Sequence, residues 1–235
     1  MLAAVSDQLA NRLLASLSRA DATRLSPWFK VVSLEQGVVI NEPGEEVERV
    51  YFPHSGMVSL LAVMQDGKAV ETAIVGREGA VGAMAGLGLH VTLTRFVVQA
   101  PLVASEIAAV PFRKMVQTSD ALRDLIVRNN EALLAQVQIT AACNALHPIH
   151  ARLARWILQT QDQVDDDTVS LTQELLSEML GVRRSSVSEV ASKLQSAGFI
   201  RYSRGSIKIV NRKALEGAAC ECYETIKTQT ASYMA

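Results

Sequence analysis

Cysteine is scarce in this chain: of 235 residues only Cys143, Cys220 and Cys222 carry a thiol. That odd number has no disulfide-framework spacing and fits a reducing compartment. Catalytic signatures are missing as well. With no nucleophile elbow, no His-Glu-x-x-His helix and no P-loop lysine, an enzyme such as a small hydrolase on a β scaffold is set aside. Long apolar runs are also lacking: the longest, Met57 to Met64, is interrupted by Ser59 and reaches less than half of the roughly 20 residues that a membrane helix needs. No membrane partner is expected. The opening Met1 to Asp7 has no basic residue and too short an apolar stretch for an export signal, so a cytoplasmic location is expected. The formal net charge is only −1, with 20% charged and 49% hydrophobic residues, as in an ordinary globular protein. Contact with nucleic acid therefore has to be judged from local charge.

What is present divides by periodicity. Residues 5–28 carry two short helical patterns, the second opened by Ser18 or Asp21 and closed near Ser26-Pro27. From Phe29 to about Ala109 the apolar period is two, in runs at Val31–Leu34, Val38–Ile40, Val47–Phe52, Met57–Met64, Ala69–Val75, Phe96–Ala100 and Leu102–Ala108. Turn signals such as Gln36-Gly37, Pro43-Gly44, Ser55-Gly56 and Asp66-Gly67 separate them, predicting a roll, barrel or sandwich with a hairpin at Asp66-Gly67.

From Pro111 to about Leu146 the pattern turns helical, with a break near Ser119-Asp120. Leu122, Leu125, Asn129, Ala132, Gln136, Ile139, Cys143 and Leu146 follow one another in steps of three and four, the spacing of a coiled-coil seam. A second stripe, Ile126, Leu133, Val137 and Thr140, runs beside it. Two stripes need two partners, so one is expected on the roll and the seam of Leu122 to Cys143 on a second copy of the chain, no later helix reading as long enough to cover it. His147-Pro148 marks the boundary. The expected organisation is a roll over 1–118, a dimerisation helix over 119–146 and a DNA-binding domain over 147–235. The last opens with a helix from Ala151 to about Gln161 and an acidic loop at Asp165–Asp167, and closes with a helix from about Arg212.

Gln173 to Ser192, QELLSEMLGVRRSSVSEVAS, carries the strongest pattern. Two steeply crossed helices need a small residue (Ser177), a turn residue tolerant of positive φ (Gly181) and a shared core (Leu176, Leu180, Val182, Val187, Val190). Thr172 is expected to cap the first helix, with Glu174 in its first turn. The second helix then exposes Arg183, Arg184, Ser185, Ser188 and Glu189. Arginine can donate twice to guanine, glutamate can accept from cytosine and serine adapts to several edges. Glu189 reads either as a base reader or as an i,i+4 partner of Lys193, with the reader favoured. Phe199–Ser203 and Ser206–Val210 around Arg204-Gly205 predict a wing. Between Gly181 and Lys213 the bases Arg183, Arg184, Lys193, Arg201, Arg204, Lys208, Arg212 and Lys213 face one acid, Glu189: an electrostatic footprint for double-stranded DNA. The expected DNA-contacting set is Thr172, Gln173, Arg183, Arg184, Ser185, Ser188, Glu189, Lys193 and Arg204.

Roll, long helix, breaker and winged helix-turn-helix in this order resemble the Crp/Fnr superfamily of transcription regulators over nearly the whole chain. Local phrases carry the resemblance: Leu17 to Phe29, Asn41-Glu42-Pro43-Gly44-Glu45, Arg152-Leu153-Ala154 and Leu171-Thr172-Gln173-Glu174. It implies an α+β fold with a jelly-roll, cyclic-nucleotide-binding-like sensor. It also implies a homodimer on an inverted-repeat operator with half-sites about 34 Å apart, and RNA polymerase as a partner if the protein activates. Arg184, Ser185 and Glu189 match the family's base-contacting positions, where arginine, glutamate and arginine are common, so the operator is expected to differ.

The sensor departs further. The family's phosphate cassette corresponds here to Gly76–Met84, with Ala83 in place of the ribose-gripping carboxylate and Thr94-Arg95 in reversed order, so cyclic AMP is not expected. A glycine-rich turn with Arg77 or Arg95 can still offer amides to an anion, and the candidate pocket is Arg77, Glu78, Gly79, Gly82, Thr94 and Arg95. An iron-sulfur cluster of the family's N-terminal type is excluded, because no cysteine precedes Cys143. His54 and His90 lack a haem spacing. No metal site is expected: His147 and His150 flank Pro148 at a helix junction, while Cys220 and Cys222, two apart on an expected helix, should point apart. The rival reading is a constitutive DNA-binding regulator whose roll is only a scaffold.

Overall fold

The computed structural model describes residues 10–88, 91–164, 168–203 and 205–234; Asp165–Asp167, His90 and Arg204 lie outside the described residues. Among the described residues two short helices lead in, α1 (Arg12–Ala15) and α2 (Arg19–Leu25), capped by Asn11 and Ser18. Asn11 is fully buried: its amide donates to the carbonyls of Pro53 and Gly79, both at 2.9 Å, which fastens α1 to the strands.

The roll is built from β1 (Lys30–Leu34), β2 (Val39–Asn41), β3 (Arg49–Val63), β4 (Ala69–Val75) and β5 (Arg95–Ala108), all pairing antiparallel. The order is β1-β5-β3-β4, with β2 also on β5. The expected runs are all strands, but Val47–Phe52 with Met57–Met64, and Phe96–Ala100 with Leu102–Ala108, fuse into two long bent strands. Gly56 explains the fusion. It takes φ 77 inside the strand, and a Cβ there would lie 2.0 Å from the Pro101 carbonyl oxygen, so Ser55-Gly56 is a bulge against Pro101 and not a turn. Asp66-Gly67 does form a tight hairpin, with Gly67 at φ 82.

The helical region breaks where expected, into α3 (Ala109–Gln117) and α4 (Asp120–Leu146), with Ser119 Oγ accepting from the Leu122 amide. Leu122, Leu125 and Ile126 pack into the roll core with Phe52 and Phe112, each burial stabilising by roughly 1.5–3 kcal/mol. The seam assigned to a second copy faces this chain instead. Leu122, Leu125, Asn129, Gln136 and Cys143 are buried in the single chain, and Ala132 and Ile139 are partly so. Asn129 and Gln136 are occupied by sheet ends that need partners: Asn129 accepts from the Ala80 amide and Gln136 from the Ile74 amide, each at 2.9 Å. The expected closing helix is in fact two, α8 (Arg212–Ala218) and α9 (Cys222–Met234), and α9 lies along α4, covering the part of the seam beyond the roll. The face of α4 left open carries Val127, Glu131, Leu134, Gln138, Ala141 and Ala145.

Past Pro148, α5 (Ile149–Val164) runs through the centre of a second core with Leu153, Trp156 and Ile157 fully buried. Around it lie β6 (Thr168–Ser170), α6 (Gln173–Leu180), α7 (Arg184–Ser196), β7 (Ile200–Ser203) and β8 (Ser206–Ile209), the three strands forming a sheet in the order β6-β8-β7.

Candidate nucleic-acid interface

The helix-turn-helix is held by local chemistry that its sequence specifies. Thr172 Oγ1 accepts from the Leu175 amide at 3.2 Å and starts α6. Gly181 ends it at φ 63, and its amide and that of Val182 reach back to the carbonyls of Glu178 and Ser177. Leu176, Leu180, Val187 and Val190 are buried between α6 and α7, with Val182 partly covered. With its apolar side consumed, α7 turns Arg183, Arg184, Ser185 and Glu189 to solvent and Ser188 partly so.

Among the described residues, the ion pairs on this face are superficial. Arg184 pairs with Glu174 of α6, and Lys193 donates to Glu189 at 2.7 Å. The Lys193 ammonium holds the Glu189 carboxyl below its ordinary range. Such exposed pairs contribute little and exchange readily for other partners. Ser188 Oγ donates to its own helix, at the Arg184 carbonyl. Gln173 is exposed beside the cap. In the wing, Arg201 and Lys208 stand opposite one another and exposed, two like charges suited to phosphate. Arg212 is different: it turns inward to Asp162, Glu216, Gln161 and the Tyr223 hydroxyl, so it leaves the basic footprint.

The reverse side of this unit rests on the roll. Trp156 Nε1 donates to Glu71 Oε1 at 2.8 Å, and Ser59 Oγ donates to the other oxygen at 2.5 Å. Burial pushes the Glu71 carboxyl up to about 7, against the downward pull of Ser59, Arg155 and Trp156. Gln36 reaches from the roll to the Ser170 carbonyl at 2.9 Å. The Gly76 turn lies directly against the Gln163 amide of α5.

The six expected effector residues do not gather in one place. Arg77 and Glu78 line a cavity of about 620 Å³ shared with Arg12, Gln159, Gln163 and Lys227, between the roll, α5 and α9. Gly79 borders a void of only about 20 Å³ beside Asn129. Gly82, at φ 76, leads into a 3₁₀ turn (Ala83–Leu87), where a Cβ on Gly86 would meet Ile126 and Phe112 at 2.8 Å. Thr94 and Arg95 line none of the cavities described here. Arg95 bonds Glu42 at 2.9 Å and approaches Glu178 of α6 at 3.9 Å, serving as a tie between roll and reading head.

The expectation that the late cysteines point apart is overturned. Cys220 precedes α9 rather than lying on it, so Cys220 and Cys222 do not obey helical spacing. Both turn towards Cys143 at the end of α4 and His147 at the junction, and the four ligand atoms lie within 4.8 Å of one another. No sequence spacing signals this group, because Cys143 and Cys220 are 77 positions apart.

No helix among the described residues is long and apolar enough to cross a membrane. Residues 31–119 match the family model for the cyclic nucleotide-binding domain and residues 151–218 that for the Crp-like helix-turn-helix domain. No curated protein sequence matches the chain. Among solved structures, FixK2 from Bradyrhizobium japonicum is 15% identical with a TM-score of 0.67, over 82% of this chain and 98% of its own. The c-di-GMP responsive global regulator CLP of Xanthomonas campestris is 18% identical with a TM-score of 0.66, over 82% and 99%. A CRP/FNR family transcriptional regulator from Thermus thermophilus is 22% identical with a TM-score of 0.65, over 81% and 98%. With both halves matched in order, and the reading helix exposed on a capped helix-turn-helix, the chain belongs to the Crp/Fnr family of transcription regulators.

Proposed function

We propose that the protein works in the cytoplasm as a homodimer that binds an inverted-repeat operator, with α7 of each copy in a major groove about 34 Å from the other. The observation that carries this reading is the exposed face of α7, where Arg183, Arg184, Ser185 and Glu189 project from a helix whose opposite side is fully committed to the core. Thr172, Gln173, Lys193 and Arg204 join them as contacts, and Arg201 and Lys208 add phosphate contacts from the wing.

Dimerisation uses the open line on α4. Val127, Leu134 and Ala141 recur at sevens, and Glu131, Gln138 and Ala145 each follow one of them by four, so the 3-4 rhythm expected of a coil exists one face round from the seam read in the sequence. Val127 and Leu134 are 43% and 52% exposed in the single chain, apolar area that a two-fold partner would cover.

A signal would enter at the cavity beside Arg77 and Glu78. A ligand there touches the roll, α5 and α9 together, and so favours one posture of the reading head over another. The rival, a constitutive regulator with the roll as scaffold, draws on the close packing of Gly86 against Ile126 and Phe112.

Selection of bound duplexes from a random pool by the full-length protein tests the reading. Recovery of a two-fold symmetric sequence is expected, with a sedimentation mass of two chains. A single subunit without preference among duplexes at moderate salt would overturn it. A thermal-shift screen of nucleotides and metabolites separates the sensor from the scaffold, since only the sensor yields a ligand that also changes DNA affinity.

A further inference from the structure

Two segments distant in sequence bring together the only three thiols of the chain. Cys143 lies in the last turn of α4, His147 stands at the α4–α5 junction, and Cys220 and Cys222 flank the turn into α9. Cys143 is fully buried, Cys220 and Cys222 nearly so, and the His147 side chain is 22% exposed. Sγ of Cys143 and Cys220 are 3.5 Å apart, and Sγ of Cys222 is 3.5 Å from His147 Nδ1.

These separations suit one small metal ion. With metal–sulfur bonds of about 2.3 Å and a metal–nitrogen bond of about 2.0 Å, a regular tetrahedron has edges of about 3.8 Å between sulfurs and about 3.5 Å from sulfur to nitrogen. The observed set, within 4.8 Å overall, needs only small side-chain rotations to reach it. A four-iron cluster holds its thiolates further apart, because an iron–iron edge is inserted between each pair.

Two further features surround the group. His147 directs Nε2 to Glu221 Oε1 at 3.1 Å, leaving Nδ1 facing the sulfurs, which is the carboxylate–histidine arrangement that fixes a ligating imidazole. Beside the thiols lie the buried guanidinium groups of Arg152 and Arg155. Their bonds run to Asn144, the Leu180 carbonyl and Gln159, with no carboxylate hydrogen bonded to either among the described residues. Glu71 reaches Arg155 only through space. Buried cations require a countercharge, and three thiolates around a divalent ion carry a net −1.

We propose that Cys143, His147, Cys220 and Cys222 form a structural metal site for a single tetrahedral divalent ion of the zinc type, which staples α9 and the α4–α5 junction together. Binding forms three metal–thiolate bonds and one metal–imidazole bond, and the three thiol protons pass to solvent. The site lies against the junction through which the roll connects to the reading head. Arg152, between the thiols and the Leu180 carbonyl at the end of α6, links it to the helix-turn-helix.

The test uses the full-length protein, purified without oxygen and without chelator. Elemental analysis is expected to find one zinc per chain. The reduced, metal-stripped protein should melt several degrees lower. It should take up one equivalent of Co²⁺ with thiolate-to-metal absorption in the near ultraviolet and the strong visible bands of a four-coordinate site. Cys222→Ser and His147→Gln should each change that spectrum and weaken uptake with the helical circular dichroism retained, the fully buried Cys143 being left intact. Glu221→Gln should keep the spectrum and weaken affinity on the order of 10–100-fold. Three freely titrating thiols with no cobalt spectrum would overturn the proposal. So would a Cys143–Cys220 disulfide in the anaerobic protein, or iron with acid-labile sulfide.

Discussion

The two sides of the C-terminal unit are built on opposite principles. On the reading side, charged groups are exposed, and the ion pairs among the described residues join Arg184 with Glu174 and Lys193 with Glu189. On the docking side, polar groups are enclosed or half-buried and bonded across the molecule: the buried Glu71 to Trp156 and Ser59, the half-buried Gln163 to Glu78 and Arg95 to Glu42, with Glu178 3.9 Å from Arg95. Exposed pairs contribute little to stability and release easily, which suits a surface that must exchange its partners for base edges. Buried bonds are costly to leave unmade, which suits a contact with a few discrete postures. The same unit therefore presents an exchangeable face to DNA and an over-determined face to the roll.

Breaking the reading side at its assembly should have the largest effect. Leu134→Glu puts a charge on the open line of α4, and the protein is expected to sediment as one chain. Its affinity for the full operator should fall by the 10²–10⁴-fold on the order of which two linked sites exceed one. An unchanged mass would move the interface elsewhere. On the docking side, Trp156→Ala empties a fully buried position and should cost about 3–5 kcal/mol of stability. Denaturant titration measures it, and a loss well under 1 kcal/mol would show that the core around α5 is not continuous with the roll.

The docking side should also respond to pH. The unfolded Glu71 ionises near 4.5 and the folded one near 7. The contribution of Glu71 to stability is therefore full below about 4.5 and is lost as pH rises through about 7. Glu71→Gln keeps the shape and removes this dependence, so wild type and variant should melt alike near pH 4.5 and diverge by pH 8. The difference should approach roughly 3 kcal/mol in favour of the variant. Parallel melting curves across that range would mean that Glu71 is solvated.

Smaller effects are expected on the reading face itself. Arg184→Ala should weaken cognate binding by about 1–3 kcal/mol and relax preference at one base pair, with the melting temperature unchanged. Equal loss on random duplexes would make Arg184 a phosphate contact. Glu189→Ala should leave stability where it is and alter preference at a neighbouring position; a uniform rise on all sequences would make Glu189 only the partner of Lys193.

What could be read in advance follows the same division. Thr172, Gly181 and the Asp66-Gly67 hairpin act on neighbours a few residues away, so residue type and spacing sufficed to expect them. The long strands were legible as runs, yet Gly56 reads as a turn until Pro101 is seen opposite it. The seam of α4 was misassigned because a 3-4 rhythm records that a face is covered without recording by what. Asn129 and Gln136 cap the Ala80 and Ile74 amides, and a helix after Cys222 covers the remainder.

The sequence by itself determined the roll, the long helix, the reading helix and the basic surface around it, because each follows from short-range periodicity, capping and local charge. Tertiary structure alone decided which face of α4 stays open, that Glu71 lies beneath Trp156, and that Cys143, His147, Cys220 and Cys222 converge. Those contacts join residues far apart in the chain, Glu71 and Trp156 by 85 positions, and chain folding brings such residues together through the burial of apolar surface, which leaves no pattern at the positions that meet.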